Sequence, residues 1–172
     1  LKSSLHADPY NYGVLGPDLD AMNIVIAAWV RLDPVETSSE AIDDTIRTIV
    51  SNKQGGCGAH NNGLSVAVNA WNSGDHRIHL EMGNGVNGCW KIDSGDAKLE
   101  SGRWYHVAIG FDGDLALIFM DGRQIASGRL GLHDPPSTRP FSVGRFGDGQ
   151  FPFYGNISHL AVVHPNADWS RE

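Results

Sequence analysis

Residues 69–76 form a polar loop that contains one tryptophan: Asn-Ala-Trp-Asn-Ser-Gly-Asp-His. Proteins bind a pyranose by stacking its apolar face on an aromatic ring, while amides and charged groups bond to its hydroxyls. Trp71 supplies the ring, because a tryptophan in a polar loop gains little from burial. Asn69, Asn72 and His76 supply the polar groups. The loop is therefore predicted to be part of a carbohydrate-binding surface.

Three residues of other Gly-rich loops, His60, Trp90 and Arg145, are further candidates for ligand binding. An aromatic cluster near the last turn adds Phe151, Phe153 and Tyr154. The tryptophans also have structural interpretations: Trp29 and Trp104 suit a framework role, and Trp90 could pack on a neighbouring disulfide. Trp71 is the aromatic residue that we expect to bind a ligand.

The two cysteines, Cys57 and Cys89, each lie in a Gly-rich loop, and one predicted hairpin separates them. Loops that meet at the same end of a hairpin can bring two Cα atoms within the roughly 4.4–6.8 Å that a disulfide spans. A disulfide in turn suits a secreted or cell-surface protein. The alternatives are two free thiols or a zinc site, and zinc would need more ligands than His60, the nearby histidine.

The charge balance argues against nucleic acid as a partner. The 172 residues include 20 acidic and 13 basic side chains, a formal net charge of -7, whereas phosphate backbones are bound by dense cationic surfaces. No apolar run approaches the roughly 20 residues of a membrane span, so membrane insertion is not expected. Cations and neutral polar ligands suit the composition, and the sequence does not indicate an oligomeric state.

Apolar alternation and Gly-rich turns predict an all-β domain. Asp112-Gly113 and Asp121-Gly122 are typical of tight hairpin turns, because glycine takes a positive φ freely. They separate three extended segments, 104–111, 115–120 and 123–126. Ile24 to Leu32 alternates between two half-apolar faces, so this strand is expected in the middle of a sheet.

Further strands are expected at 45–50, 64–70, 77–82, 90–92, 141–143 and 153–163, the last with a bulge, while residues 38–44 favour a loop or one helical turn. These ten segments already exceed the seven to nine strands of an immunoglobulin-type sandwich, and about eleven to twelve short strands are expected in all. A jelly-roll sandwich of two antiparallel sheets fits better. We expect residues 1–172 to be one domain, excised from a longer protein since no initiating Met is present.

A series of motifs, in order along nearly the whole chain, resembles the laminin-G-like and pentraxin-like branch of the concanavalin A-like superfamily. The motifs are Ala28-Trp29-Val30, Gly63-Leu64-Ser65-Val66, Gly102-Arg103-Trp104-Tyr105-His106-Val107-Ala108, Phe119-Met120-Asp121-Gly122-Arg123, Phe141-Ser142-Val143-Gly144 and Phe153-Tyr154-Gly155-Asn156-Ile157. The resemblance implies two curved antiparallel sheets whose concave face and rim loops bind carbohydrate or protein ligands, often with calcium, in secreted or cell-surface proteins.

The resemblance also implies a candidate calcium site. The pentraxin-like pattern places an Asp-Asn pair before the strand that here begins at Leu64, and a second acidic cluster after the strand that ends near Gly144. The corresponding residues are Asn61, Asn62, Asp148 and Gln150, whose oxygens suit calcium. One carboxylate among four predicts weak affinity, and turn geometry is the alternative role for these residues. Asp18 and Asp20 form a second candidate pair.

Catalysis of the glucanase type requires two carboxylates that converge on the substrate. The glutamates are Glu36, Glu40, Glu81, Glu100 and Glu172, and none has an Asp two residues later. Arg77 and His79 share a strand face, as a polysaccharide lyase would need, but a solvated face is the simpler interpretation. We therefore predict a non-catalytic extracellular module that binds carbohydrate or a glycosylated partner. A protein-binding adhesion module and a glycan-cleaving enzyme are the alternatives.

Overall fold

The chain forms twelve β-strands in a computed structural model. The structure describes residues 4–7, 13–14, 24–34, 45–53, 56–57, 62–83, 85, 88–112, 114–130, 137, 139–146 and 149–163. The strands are β1 (Ser4–Ala7), β2 (Gly13–Val14), β3 (Val25–Leu32), β4 (Arg47–Ser51), β5 (Leu64–Val68), β6 (Arg77–Gly83), β7 (Cys89–Lys98), β8 (Trp104–Asp112), β9 (Leu115–Met120), β10 (Arg123–Arg129), β11 (Ser142–Val143) and β12 (Gly155–Val163).

The strands form two six-stranded antiparallel sheets. The order in the first sheet is β1-β12-β3-β8-β9-β10, and in the second sheet it is β2-β11-β4-β5-β6-β7. Strand β3 lies between β12 and β8, in the interior of its sheet as its two half-apolar faces predict. The predicted jelly-roll sandwich is confirmed.

The core lies between the inner faces of the two sheets. Every second residue of a strand points to the same face, so Ile26, Ala28 and Val30 of the first sheet are buried together. The second sheet contributes Leu80 and Val66 to the same buried cluster. The periodicity of the sequence thus identifies the inner faces correctly.

The turn between β9 and β10 has the predicted hairpin geometry. Asp121 and Gly122 have φ values of 51° and 78°, and two successive positive φ angles are the signature of a tight primed turn. The bulge predicted in the last strand is present in β12, where the pairing with β3 shifts between Ser158 and Ala161. Local turn chemistry therefore predicts these features well.

The sequence does not predict β1, β2 or the second half of β7. β1 and β2 are too short for alternation to identify them. β7 runs to Lys98 rather than to Ile92, because residues 93–98 are polar and belong to an edge strand that solvent reaches. The segment 38–44 lies outside the described residues. In the described part of the chain, no helix has the length and apolar character needed to cross a bilayer.

Candidate ligand-binding groove

The outer face of the second sheet carries a row of polar side chains. Residues that pair directly in an antiparallel sheet project to the same face. Ser51 pairs with Ser65, Ser65 with Glu81, and Glu81 with Lys91. Their sequence neighbours belong to the core, so this row points away from it. We call this surface the outer face.

Three aromatic side chains cover part of the outer face. Phe151 accepts a backbone hydrogen bond of 3.2 Å from the amide of Thr48 in β4, which fixes its loop over that strand. Its ring meets Trp71 edge-on with centroids 5.7 Å apart, and Phe146 with centroids 5.5 Å apart. We call Trp71, Phe146 and Phe151 the aromatic wall. Phe146 is buried, whereas Trp71 is 66% exposed and presents its ring to solvent.

A groove of about 380 Å³ lies beside the aromatic wall. Besides the wall residues it is lined by Ile46, Lys53, Gly56, Cys57, Glu81, Lys91 and Gln150. Its volume falls at the lower end of the roughly 300–1,000 Å³ typical of small-molecule sites. The groove therefore combines an exposed aromatic ring with a few fixed polar groups.

Two lysines bind the two oxygens of Glu81 within the groove. Lys53 Nζ lies 2.7 Å from Oε2, and Lys91 Nζ lies 2.7 Å from Oε1. The Lys53 side chain has no exposed surface, whereas that of Lys91 is 55% exposed. We call these three residues the charged cluster. A fully buried ammonium requires a partner of this kind, because an unpaired buried charge is strongly unfavourable.

Within the charged cluster, the pKa values of Lys53 and Glu81 are shifted. Burial lowers the pKa of Lys53, and the nearby Glu81 carboxylate opposes that shift only in part. Burial by itself would raise the pKa of Glu81, but Lys53 and then Lys91 outweigh it, so the pKa of Glu81 is lowered overall. Glu81 is consequently held as a carboxylate.

Cys57 and Cys89 form a disulfide with Cα atoms 5.2 Å apart, as predicted. It joins the loop after β4 to the first residue of β7, so it closes one end of the groove. The Cys57 sulfur lies 3.4 Å from Lys53 Nζ. Cys57, Glu81 and Cys89 are close enough to share a metal ion, but the disulfide removes the thiolates that such a site would use.

Asn69 organises the turn that presents Trp71. It is 1% exposed, its Nδ2 donates to the carbonyl of Thr45 at 3.0 Å, and its Oδ1 accepts from the amide of His76 at 2.8 Å. Asn69, Asn72 and His76 all have positive φ, at 68°, 53° and 56°. Asparagine tolerates this conformation better than most residues. The Asn69 amide thus joins the turn to Thr45 and bonds across the turn to His76, while Asn72 is exposed beside Trp71.

The structure places the other candidate residues at different points. Gln150 is exposed and lines the groove. Trp90 pairs with Met82, so it projects to the side of β7 opposite to that of Lys91, where it is 42% exposed at the sheet edge. Asn62 precedes Gly63, which packs on Asn52 and Ser137 rather than on the groove. Arg145 is half-buried near Gly149. His60, Asn61, Asp148, Asp18 and Asp20 lie outside the described residues.

Other carboxylates on or beside the outer face also have basic side chains as partners. Asp75 Oδ2 lies 2.9 Å from His79 Nε2, and Asp93 Oδ1 lies 3.6 Å from a guanidinium nitrogen of Arg77. Burial would raise the pKa of Asp75, but the Arg77 amide and then His79 lower it overall. Asp75, Glu81 and Asp93 are thus each engaged by a neighbouring basic side chain.

The sequence analysis did not identify the charged cluster or Phe146 as parts of the groove. A prediction of how β7 pairs with β6 would have placed Glu81 opposite Lys91, since opposite charges often pair across strands. Nothing in the local sequence marks Lys53, because lysine is almost never fully buried.

Comparison with known proteins supports the fold in detail. The family model for the concanavalin A-like lectin/glucanases superfamily matches residues 11–165. Comparison with curated proteins gives no match.

Three solved structures illustrate the likeness. The CBM40 of the Ruminococcus gnavus IT-sialidase, bound to alpha2,3 sialyllactose, has a TM-score of 0.64 at 16% identity, over 88% of this chain and 80% of that chain. Domains LG4-5 of the mouse laminin alpha1 chain have a TM-score of 0.57 at 14% identity, over 99% of this chain and 41% of that chain. The enzymatically active domain of tailspike protein 2 from bacteriophage CBA120 has a TM-score of 0.61 at 15% identity, over 95% of this chain and 25% of that chain. At these identities the likeness concerns the fold. Because the family match covers most of its length, the chain belongs to the concanavalin A-like lectin/glucanases superfamily and, as predicted, is laminin-G-like.

Proposed function

We propose that this domain is a non-catalytic module that binds carbohydrate, free or on a glycoprotein, in the groove beside Trp71. The exposure of Trp71 carries the proposal: an indole ring 66% open to solvent, in edge-on contact with Phe151 at the edge of a groove that also contains charged side chains. An aromatic face of this kind stacks on a pyranose. Asn72 and Gln150 are exposed nearby to bond to hydroxyls.

The fold and the disulfide support this function and an extracellular location. A structural neighbour, the sialidase CBM40, was solved with a bound oligosaccharide. A disulfide persists in oxidising compartments, which suits a secreted or cell-surface protein. The engaged carboxylates of the outer face favour binding over glycan cleavage, although a tailspike enzyme shares the fold.

The test is glycan-array binding by the wild type, Trp71→Ala and Trp29→Ala. Trp29 is a matched control, since it is 40% exposed and belongs to β3 in the other sheet. We expect Trp71→Ala to lose at least about tenfold in affinity and Trp29→Ala to bind normally. Equal binding by both variants would remove Trp71 from the site.

The array result, combined with two further assays, separates the alternative functions. An array without signal, together with capture of a protein partner that carries no glycan, would favour an adhesion module. Release of reducing sugar from any bound oligosaccharide would identify an enzyme.

Calcium is a separate part of the proposal. Asn62 Oδ1 is buried and has no hydrogen-bond partner among the described residues, which suits an oxygen ligand of calcium. Because Asn62 does not line the groove, calcium there would stabilise the residues that precede β5. If it binds, added calcium should raise the Tm of the wild type and raise that of Asn62→Ala less, because a ligand of the folded state stabilises it. An unchanged Tm with calcium and with chelator would exclude the site.

A further inference from the structure

The charged cluster leaves a surplus positive charge in the groove. The charged residues that line it, in the described part of the chain, are Lys53, Glu81 and Lys91. Two ammonium groups against one carboxylate give a local charge of about +1. The whole chain has a formal net charge of -7. Counted over the described residues, the groove is therefore cationic within an acidic protein, and its ligand experiences the local charge at short range.

Lys91 is the part of the cluster that a ligand can reach. Its ammonium group has three donors, and among the described residues it bonds to Glu81. The side chain is 55% exposed, whereas Lys53 has no exposed surface. Both Glu81 oxygens already accept from the lysines. A ligand that enters the groove thus meets unused ammonium donors rather than an unused carboxylate.

We infer that the groove selects acidic sugars, with the sugar carboxylate on Lys91 and a pyranose face on Trp71. This inference rests on the proposed carbohydrate-binding function. Charge-assisted hydrogen bonds are stronger than neutral ones. Lys53 adds a second positive charge below the groove, and its pairing with Glu81 keeps it in place.

The shared chemistry of the ligand is an anionic group on a sugar ring, which could be a carboxylate or a sulfate ester. Three probes separate these sources: a trimer of galacturonate, the same trimer after reduction of its carboxylates to alcohols, and a sulfated form of the reduced trimer. Titration calorimetry of the full chain measures each affinity.

The variants are Lys91→Met and, as a matched control on the same strand, Lys98→Met. Lys98 is exposed, pairs with Arg77 and does not line the groove. We expect the wild type to bind the acidic trimer about tenfold more tightly than the reduced one. Lys91→Met should abolish that preference, Lys98→Met should retain it, and Lys91→Arg should restore most of it.

The outcomes separate this inference from the proposed function. Equal affinity of the wild type for acidic and reduced trimers, or equal losses in Lys91→Met and Lys98→Met, overturns the acidic selectivity but leaves carbohydrate binding intact. If neither trimer binds but neutral glycans bind on the array, the acidic selectivity is again overturned and carbohydrate binding remains intact. Absence of binding to any glycan overturns both. Tight, Lys91-dependent binding of the sulfated trimer supports selection of anionic sugars by charge.

Discussion

Glu81 is the residue on which the groove depends electrostatically. It compensates a lysine that is completely buried and holds a second lysine at the surface of the groove. The contribution of Glu81 to the free energy of unfolding differs from that of a surface ion pair, which is about 0–1 kcal/mol. Removing one partner of a buried pair leaves an uncompensated charge that costs about 3–5 kcal/mol. A change at Glu81 should therefore affect stability more than a change at an exposed glutamate.

Glu81→Gln should lower the free energy of unfolding at pH 7 by about 3 kcal/mol, as measured by urea denaturation. Glu100→Gln, at an exposed position, is the control and should change it by less than about 0.5 kcal/mol. Equal effects of the two substitutions would show that the charged cluster contributes little.

The wild type and Glu81→Gln should also differ in how their stability depends on pH. The folded-state pKa of Glu81 is lowered, so its contribution is complete above the unfolded pKa and is lost as pH falls through the folded pKa. Asp75 behaves in the same way. The stability gap between the wild type and Glu81→Gln should therefore shrink on acidification below about pH 4. Thermal melts across this range measure it, and a gap that grows towards low pH would contradict the assignment.

At the scale of elements, two loops and one covalent bond shape the groove. The β5–β6 turn presents Trp71, the loop from Arg145 to Phe151 supplies the rest of the aromatic wall, and the disulfide ties the loop after β4 to β7. Phe151 has a φ of 54°, a conformation that costs a bulky residue on the order of 1–3 kcal/mol. Its backbone bond to Thr48 and its two ring contacts hold it there.

Asn69→Ala should destabilise the domain by about 2–4 kcal/mol, because it removes two buried hydrogen bonds at a residue with positive φ. It should also weaken ligand binding, since the turn that presents Trp71 loses its fixed geometry. Asn72→Ala, exposed in the same turn, should cost less than about 1 kcal/mol. Chemical denaturation compares the two, and a larger loss at Asn72 would contradict this role.

Loss of the disulfide through Cys57→Ser with Cys89→Ser should cost about 3–4 kcal/mol for a sequence separation of 32 residues. Reductant should lower the stability of the wild type by a similar amount and leave the double variant unchanged. A wild type that is insensitive to complete reduction, verified by thiol titration, would show that packing alone holds these segments together.

At the scale of the whole molecule, the ends of the described chain meet in one sheet. β1 pairs with β12 across four residues, from Ser4 with Ser158 to Ala7 with Gly155. Ala7 is fully buried, and Leu5 packs against the core. β1 also covers the edge of β12, and uncovered edges promote association between molecules.

Deletion of residues 1–7 should lower the free energy of unfolding by about 2–4 kcal/mol, through lost apolar burial and strand pairing. It should also increase light scattering at high concentration, because β12 becomes an edge strand. Leu5→Ala removes apolar contact and keeps the pairing, so it should destabilise without the added scattering. Scattering by both variants alike would indicate that unfolding, rather than the exposed edge, causes association.

The sequence by itself determined the class of the fold, the inner faces of its main strands and the tight turn between β9 and β10. Alternation in β3 and the Asp-Gly turn before β10 are local signals, since each depends on residues adjacent in the chain. The order of several such motifs was enough to indicate the superfamily. The cysteine pairing was also predictable, because one hairpin between two loops constrains where they meet.

The tertiary structure decided which of these residues form a site. Trp71 meets Phe151, 80 positions later, and Lys53 meets Glu81 and Lys91 because three separate strands and loops converge on the outer face. Trp90, close to the disulfide in sequence, projects to the other side of its strand. A shift of one residue reverses the face on which a side chain lies. Register and loop placement, which depend on contacts across the whole fold, therefore set the groove, its charge and the ligand proposed for it.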